Sequence, residues 1–241
     1  MEITVRDKLA VDIPAEVAEF FKLSANMEGV VPRLPQIKII HQGQLYKMPD
    51  ESKITEFEGV LLDHHRANAW WEKQATENEP AKIPDCFSMN GIEPIPGSEN
   101  LQAELCEECP QNQYGSDQKP GSKGKACKNM KRTMVLMEGS TLPRRLTVTP
   151  SSLRSFDDYM TSLYDRGIPF PAAVTKFRLE EKKAGTNIYS EMIFSFQRIL
   201  KPVELIKVAE FIQKNRDQAR TQIIKAEEYG AVPEEKSDIP F

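Results

Sequence analysis

Residues 75–130 set the terms on which this chain can fold. The segment holds Pro80, Pro84, Pro94, Pro96, Pro110 and Pro120, several glycines, few β-branched residues, and every cysteine in the protein: Cys86, Cys106, Cys109 and Cys127. Proline fixes φ and removes a backbone donor, so a stretch this rich in it builds neither a long helix nor a central strand. Structureless segments of this length are uncommon inside a compact domain unless something else organises them. The C-x2-C pair, Cys106 and Cys109, places two sulfurs on one tight turn. Cys86 and Cys127 are separated from it by 19 and 17 residues. Four thiolates around a d10 ion make a closed tetrahedral structural site. Such an ion supplies folding energy to a segment with no core of its own. One structural Zn2+ per chain is therefore the expected cofactor, and His64 or His65 could replace an outer cysteine as ligand. Two disulfides and buried free thiols are the alternatives. Lys125 and Lys128 flank Cys127 and are expected to favour its thiolate.

The flanking chain alternates in a different way. Residues 1–30 read as a strand-like start and a short helix opened by Pro14, a residue tolerated at a first helical position. Residues 37–47 and 54–63 read as strands joined through Pro49, Asp50, Glu51 and Ser52, which are turn residues. Residues 131–138 and 144–149 are two further strands. Thr149-Pro150-Ser151-Ser152 starts a helix whose apolar residues Leu153, Phe156, Met160 and Leu163 recur at helical spacing, and Gly167 caps it. Residues 172–182 and 188–200 are strands, the second with Ile188, Met192, Phe194 and Phe196 on one face. Pro202 opens a long helix with Leu205, Val208, Ala209 and Ile212 on one stripe. The expected class is mainly β with helices. The element order fits an OB-fold-like five-stranded barrel with its helix between the third and fourth strands. Residues 75–130 would be a zinc-binding insertion in it, and the long helix would close it. A different α+β sheet with the same strand count is the alternative. Residues 1–226 are expected to form this one domain, and 227–241 an acidic, disordered tail.

Charge is unevenly placed. Residues 227–241 carry Glu227, Glu228, Glu234, Glu235 and Asp238 against Lys236, a net of −4, which equals the net charge of the whole chain. Residues 119–145 carry eight cations against Glu138, a net of +7. A neutral body with a basic stretch and an acidic end suits an anionic ligand and a separate partner. The first eight residues carry charges where a secretory signal needs an apolar run. No apolar segment approaches the roughly 20 residues that span a membrane. The expected location is a cytoplasm, with no membrane partner and mostly reduced thiols.

The side chains that could hold a nucleic acid are aromatic and basic. Trp70 and Trp71 are the only tryptophans. On a strand they point to opposite faces, one inward and one outward. An outward ring beside Arg66 and Lys73 could stack on a base while cations hold phosphates. Lys131, Arg132, Arg144, Arg145, Lys176 and Arg178 are the candidates for a basic groove along a backbone. Tyr114 and Tyr189 are further stacking candidates. No P-loop or dinucleotide fingerprint is present, and neither is the H-x-E of zinc deaminases. Asp63-His64-His65 resembles the signature of a family of metal-dependent phosphoesterases, but His41 is the only other histidine and no further Asp-rich motif follows.

The chain ends Asp238-Ile239-Pro240-Phe241. A terminal Phe carboxylate behind an apolar pair makes a handle for an apolar pocket with a cation at its rim. This ending resembles the C-terminal tip of bacterial and phage single-stranded DNA-binding proteins. The resemblance implies a protein with no reaction of its own, which coats single-stranded DNA without sequence preference. It also implies that Asp238, Ile239, Pro240 and Phe241 recruit replication, recombination and repair proteins. Some phage members of that group carry a structural zinc in an OB domain, and a phage source would place the protein in the bacterial host cytoplasm. The alternatives are a zinc-stabilised recombination or replication adaptor with weak DNA binding, and a metal-dependent nuclease or phosphoesterase acting through Asp63, His64 and His65. The oligomeric state is not legible in the sequence.

Overall fold

A computed structural model describes residues 28, 30, 34–40, 43–72, 84–96, 98–118, 122–184 and 187–220. The helix expected after Pro14, Lys73, and the tail 227–241 with Asp238, Ile239, Pro240 and Phe241 lie outside the described residues.

The centre of the fold is one long strand, β4 (Glu56–Trp70). Its Gly59-Val60-Leu61-Leu62 run is apolar on both faces, as a strand covered on both sides must be. At Gly59 the neighbouring strand comes so close that a Cβ would lie 2.6 Å from Val135 Cγ1. Eight strands flank β4: β1 (Gln36–Ile40), β2 (Leu45–Lys47), β3 (Lys53–Ile54), β5 (Cys86–Ser88), β6 (Lys128–Leu136), β7 (Arg144–Val148), β8 (Ala173–Ala184) and β9 (Asn187–Ile199). They form one sheet in the order β3-β2-β1-β7-β6-β4-β8-β9, with β5 paired to the end of β4. Every pairing is antiparallel except β1 with β7.

The sheet is curled and open. Tyr46 of β2 meets Phe57 of β4 edge-on with ring centroids 5.0 Å apart. In sheet order β1, β7 and β6 lie between those strands, a separation of about 19 Å if the sheet were flat. The curl brings the rings together. Among the described residues no pairing joins the end strands β3 and β9, so the result is a half-barrel.

Inside the curl lies the main core, with Ile37, Tyr46, Phe57, Leu61, Val135, Leu146, Phe177 and Phe194 from the strands. Helix α1 (Leu153–Asp165) covers it with Phe156, Tyr159 and Leu163. Ser152, fully buried, accepts the Met192 N–H at 2.9 Å and ties the start of α1 to β9. Gly167 ends the helix at φ +67°, with the Ile168 N–H returning to the Leu163 carbonyl, the left-handed cap that glycine adopts without strain.

The outer face of the sheet carries a second cluster, Val60, Leu62, Met134, Leu136, Val174 and Leu200, covered by Val208, Leu205 and Ile212 of helix α2 (Pro202–Arg220). Ala209, expected on that stripe, is exposed. Glu204 fixes the start of α2. It accepts the Lys201 N–H at 2.6 Å and two hydrogen bonds from Arg198 at 2.8 and 2.9 Å. The third helical residue reaching back to the N-cap N–H is half of a capping box.

Candidate functional site

Past Leu62, β4 changes character. A bulge between Leu61 and Asp63 resets the ladder, and the strand runs on through Asp63, His64, His65 and Arg66 to Trp70. Residues opposite each other in an antiparallel ladder share a face. His64 therefore lies with Thr133, and Arg66 with Lys131, on the inner face. Asp63 lies with Met134, and His65 with Arg132, on the outer face. The His64 ring sits 5.3 Å from that of Phe156 and 5.2 Å from that of Phe170. Asp63, His64 and His65 thus alternate across the sheet instead of converging on one point.

The cysteines do converge. Cys86, Cys106, Cys109 and Cys127 line one cavity of about 20 Å3, together with Trp70, Asn68 and Asn112. That volume holds about one water-sized sphere, which is room for one ion. All four are free thiols, and three of them are buried. The lining contains neither His64 nor His65. Among the described residues no three ligating side chains are already drawn together as a formed metal site. Four thiols are a soft donor set, of the kind found around structural rather than catalytic ions.

Backbone hydrogen bonds shape this insertion. The Cys106 N–H donates to the Ile92 carbonyl at 2.7 Å, and the Cys127 N–H to that of Gln111 at 2.8 Å. Asn112 Nδ2 donates to the Cys106 carbonyl at 2.6 Å, and Gln113 Nε2 to that of Cys109 at 3.3 Å. Three apolar residues of the insertion, Phe87, Met89 and Ile95, use the sheet as their core by packing on Ala67, Ala69 and Met130. Strand β5 fastens it, with Cys86 opposite Trp70 and Ser88 opposite Asn68.

Burial pushes the Cys127 thiol up to about 12. The neighbouring thiols add to that effect and Lys125 opposes it only weakly. Burial also raises Cys86, against a hydrogen bond from the Gln102 backbone. Lys125 thus favours the Cys127 thiolate in the expected direction, but desolvation outweighs it, and Lys128 is not among the causes of the shift. Lys128 turns away, donating to the Lys125 carbonyl at 3.0 Å and lying 3.6 Å from Asp117.

The expected DNA-contacting residues are dispersed. Trp70 is buried against the cysteine cavity, and Trp71 is half-buried against the Ala67–Met130 cluster. Lys131 and Arg132 are consecutive on β6, and Arg144 and Arg145 on β7, so each pair splits across the sheet. Arg132 is 1 % exposed and Arg145 9 %. Arg144 is half-buried, and that burial lowers its pKa. Lys176 is ion-paired with Glu56 at 2.6 Å, and exposed Arg178 with Glu180 at 2.7 Å. Arg66 is exposed on the inner face beside Lys131. Pattern reading passed over Asn68, Asn112 and Asn129, whose amides join the insertion to the sheet. No local signal marked them, because the strand read over 54–63 stopped short of Asn68.

Among the described residues no helix is long and apolar enough to cross a membrane. Compared with protein-family models, with curated proteins and with solved structures, the chain matches none.

Proposed function

We propose that the protein binds single-stranded DNA without sequence preference, through an OB-type half-barrel carrying a metal-organised insertion. The observation that carries this reading is the strand order β7-β6-β4-β8-β9, with α1 between β7 and β8. On this reading these five strands, in chain order from β4, would correspond to OB strands one to five, and the cysteine insertion would fall in the loop between the first two, one of the two loops with which OB folds hold oligonucleotides. The clustered thiols support one Zn2+ held by Cys86, Cys106, Cys109 and Cys127. When bound, the ion would supply folding energy to a segment whose own apolar cluster is small. The acidic ending Asp238-Ile239-Pro240-Phe241 supports a second activity, recruitment of replication, recombination and repair proteins.

Anisotropy titration of labelled oligo(dT) tests the reading. Affinity should fall linearly in log–log with salt and be far weaker for duplex. Equal affinity for duplex, or no binding at low salt, overturns it. Deleting 227–241 should raise affinity at low salt and change little at high salt, because the Debye length shortens as salt rises. Deleting Pro240 and Phe241 should leave DNA binding intact and abolish capture of purified replication or repair enzymes that bind such tips.

A further inference from the structure

A continuous run of polar groups leads from the tip of the cysteine insertion down the inner face of the sheet to α1. At its upper end Tyr114 is 84 % exposed. Lys125 Nζ lies 5.0 Å from the centroid of that ring and 3.3 Å from Asn112 Oδ1. Asn129 Nδ2 donates to Asn112 Oδ1 at 2.9 Å and to Asn68 Oδ1 at 2.8 Å. Asn68 Nδ2 reaches the Gly91 carbonyl at 3.5 Å. Gly91 lies on the stem of Arg66, so close that a Cβ there would stand 2.7 Å from Arg66 Cβ. Arg66 is opposite Lys131, whose ammonium sits 4.8 Å over the Phe156 ring and is paired with Asp157.

Three features make this run fit a nucleic acid strand. An exposed aromatic face next to a cation is the combination that stacks a base and neutralises its phosphate. Backbone hydrogen bonds hold the described part of the Tyr114 turn. The Gly115 N–H is shared between the carbonyls of Lys123 and Gly124 at 3.1 and 2.9 Å, and the Asp117 N–H also reaches Gly124. Binding therefore costs little further ordering. Finally, two carboxylates along the run are engaged: Asp117 with Ser122 and Lys128, and Asp157 with Lys131.

We propose that Tyr114 is a base-stacking platform for a single strand crossing the junction of insertion and half-barrel, with Lys125 and Arg66 as its phosphate contacts. This inference rests on the single-strand reading above, and the experiment separates the two. Full-length protein and its Tyr114→Ala, Tyr114→Phe and Lys125→Ala variants are titrated with labelled oligo(dT) and with the same strand carrying abasic sites. Tyr114→Ala should bind oligo(dT) about 5- to 160-fold more weakly, the range that loss of one stacked base gives. Tyr114→Phe should restore most of that loss. On the abasic strand Tyr114→Ala and the parent should bind alike, a result that damage to the fold would not produce. Lys125→Ala should reduce the salt slope by about 0.7 for one lost phosphate contact on a single strand. The inference is overturned if Tyr114→Ala binds oligo(dT) as the parent does, or loses as much affinity on abasic strand. Failure of the parent to bind oligo(dT) at low salt overturns the single-strand reading itself.

Discussion

Replacing Glu204 with alanine should destabilise the protein markedly. Its carboxylate is 5 % exposed and takes three hydrogen bonds, two from Arg198 and one from the Lys201 N–H. Removing one partner of a buried ion pair costs about 3–5 kcal/mol when the other is left dry. Arg198 keeps 29 % of its side chain exposed, so its guanidinium can turn partly to water, and that share falls to about 2 kcal/mol. Loss of the N-cap contact adds about 1 kcal/mol. The sum, about 3 kcal/mol, corresponds to roughly 6–12 °C in Tm for a domain of this size. Urea denaturation at fixed Zn2+, with Arg198→Ala and the double variant completing a cycle, measures it. The double variant should cost hardly more than Glu204→Ala alone, because both singles break one interaction. A cost for Glu204→Ala below about 1 kcal/mol, or additive singles, would refute the argument that this pair anchors α2.

Three other sites give sharp expectations. Gly59→Ala should cost about 1–3 kcal/mol by overpacking, read from the urea midpoint, because the new methyl would press on Val135 and the Leu136 carbonyl. Tyr46→Phe should be neutral or slightly stabilising at pH 7, since the buried hydroxyl has no hydrogen-bond partner among the described residues. Burial also raises the Tyr46 pKa above its ordinary value of 10.0. The unfolded chain therefore loses that proton first, and stability intact below pH 10 declines as pH climbs above it. Alkaline unfolding should be shallower in Tyr46→Phe. Cys106→Ser should abolish Zn2+ uptake, measured by elemental analysis. Hydrogen exchange should then show amides of 86–127 opening first while β4, β6 and β8 stay protected.

Much of the barrel was legible because its signals are local. Thr149-Pro150 opens the 3-10 turn that leads into α1 and Gly167 ends the helix, and β6 to β9 follow their alternation closely. The turn after Met48 uses the residues expected of it, with Asp50 Oδ1 taking the Ser52 N–H at 3.1 Å. Two misreadings have physical causes. The strand read over 37–47 breaks into β1 and β2 at Gly43 and Gln44, both at positive φ, and Gln42-Gly43 was the signal. The strand read over 54–63 runs on to Trp70, because Asp63-His64-His65-Arg66 looks like an exit into solvent. It stays a strand because β6 continues beside it and the insertion folds over its end. Nothing local announces nine strands among the described residues in place of a five-stranded barrel, or the parallel pairing of β1 with β7. Both depend on contacts between distant segments. The clustering of the cysteines was legible from the C-x2-C pair and the composition of the loop around it, whereas the split of Lys131 from Arg132 and of Arg144 from Arg145 needed the ladder register.

The central position of β4 also constrains how the protein can be made. Val60 is paired with Leu136 on one side and Val174 on the other. On a ribosome adding about 5–20 residues per second, the second partner emerges several seconds after β4 itself. During that interval Gly59-Val60-Leu61-Leu62 is an unpaired apolar strand in water, the kind of segment that joins other chains edge to edge. Glu56 and Glu58 stand before it, and Asp63, His64, His65 and Arg66 after it. These flanking charges act as gatekeepers that discourage such encounters. The polar stretch that marks a change of role along the finished strand thus also protects the nascent one. Neutralising Glu58 and Asp63 together should lower the soluble yield of newly made protein more than it lowers the stability of protein already folded.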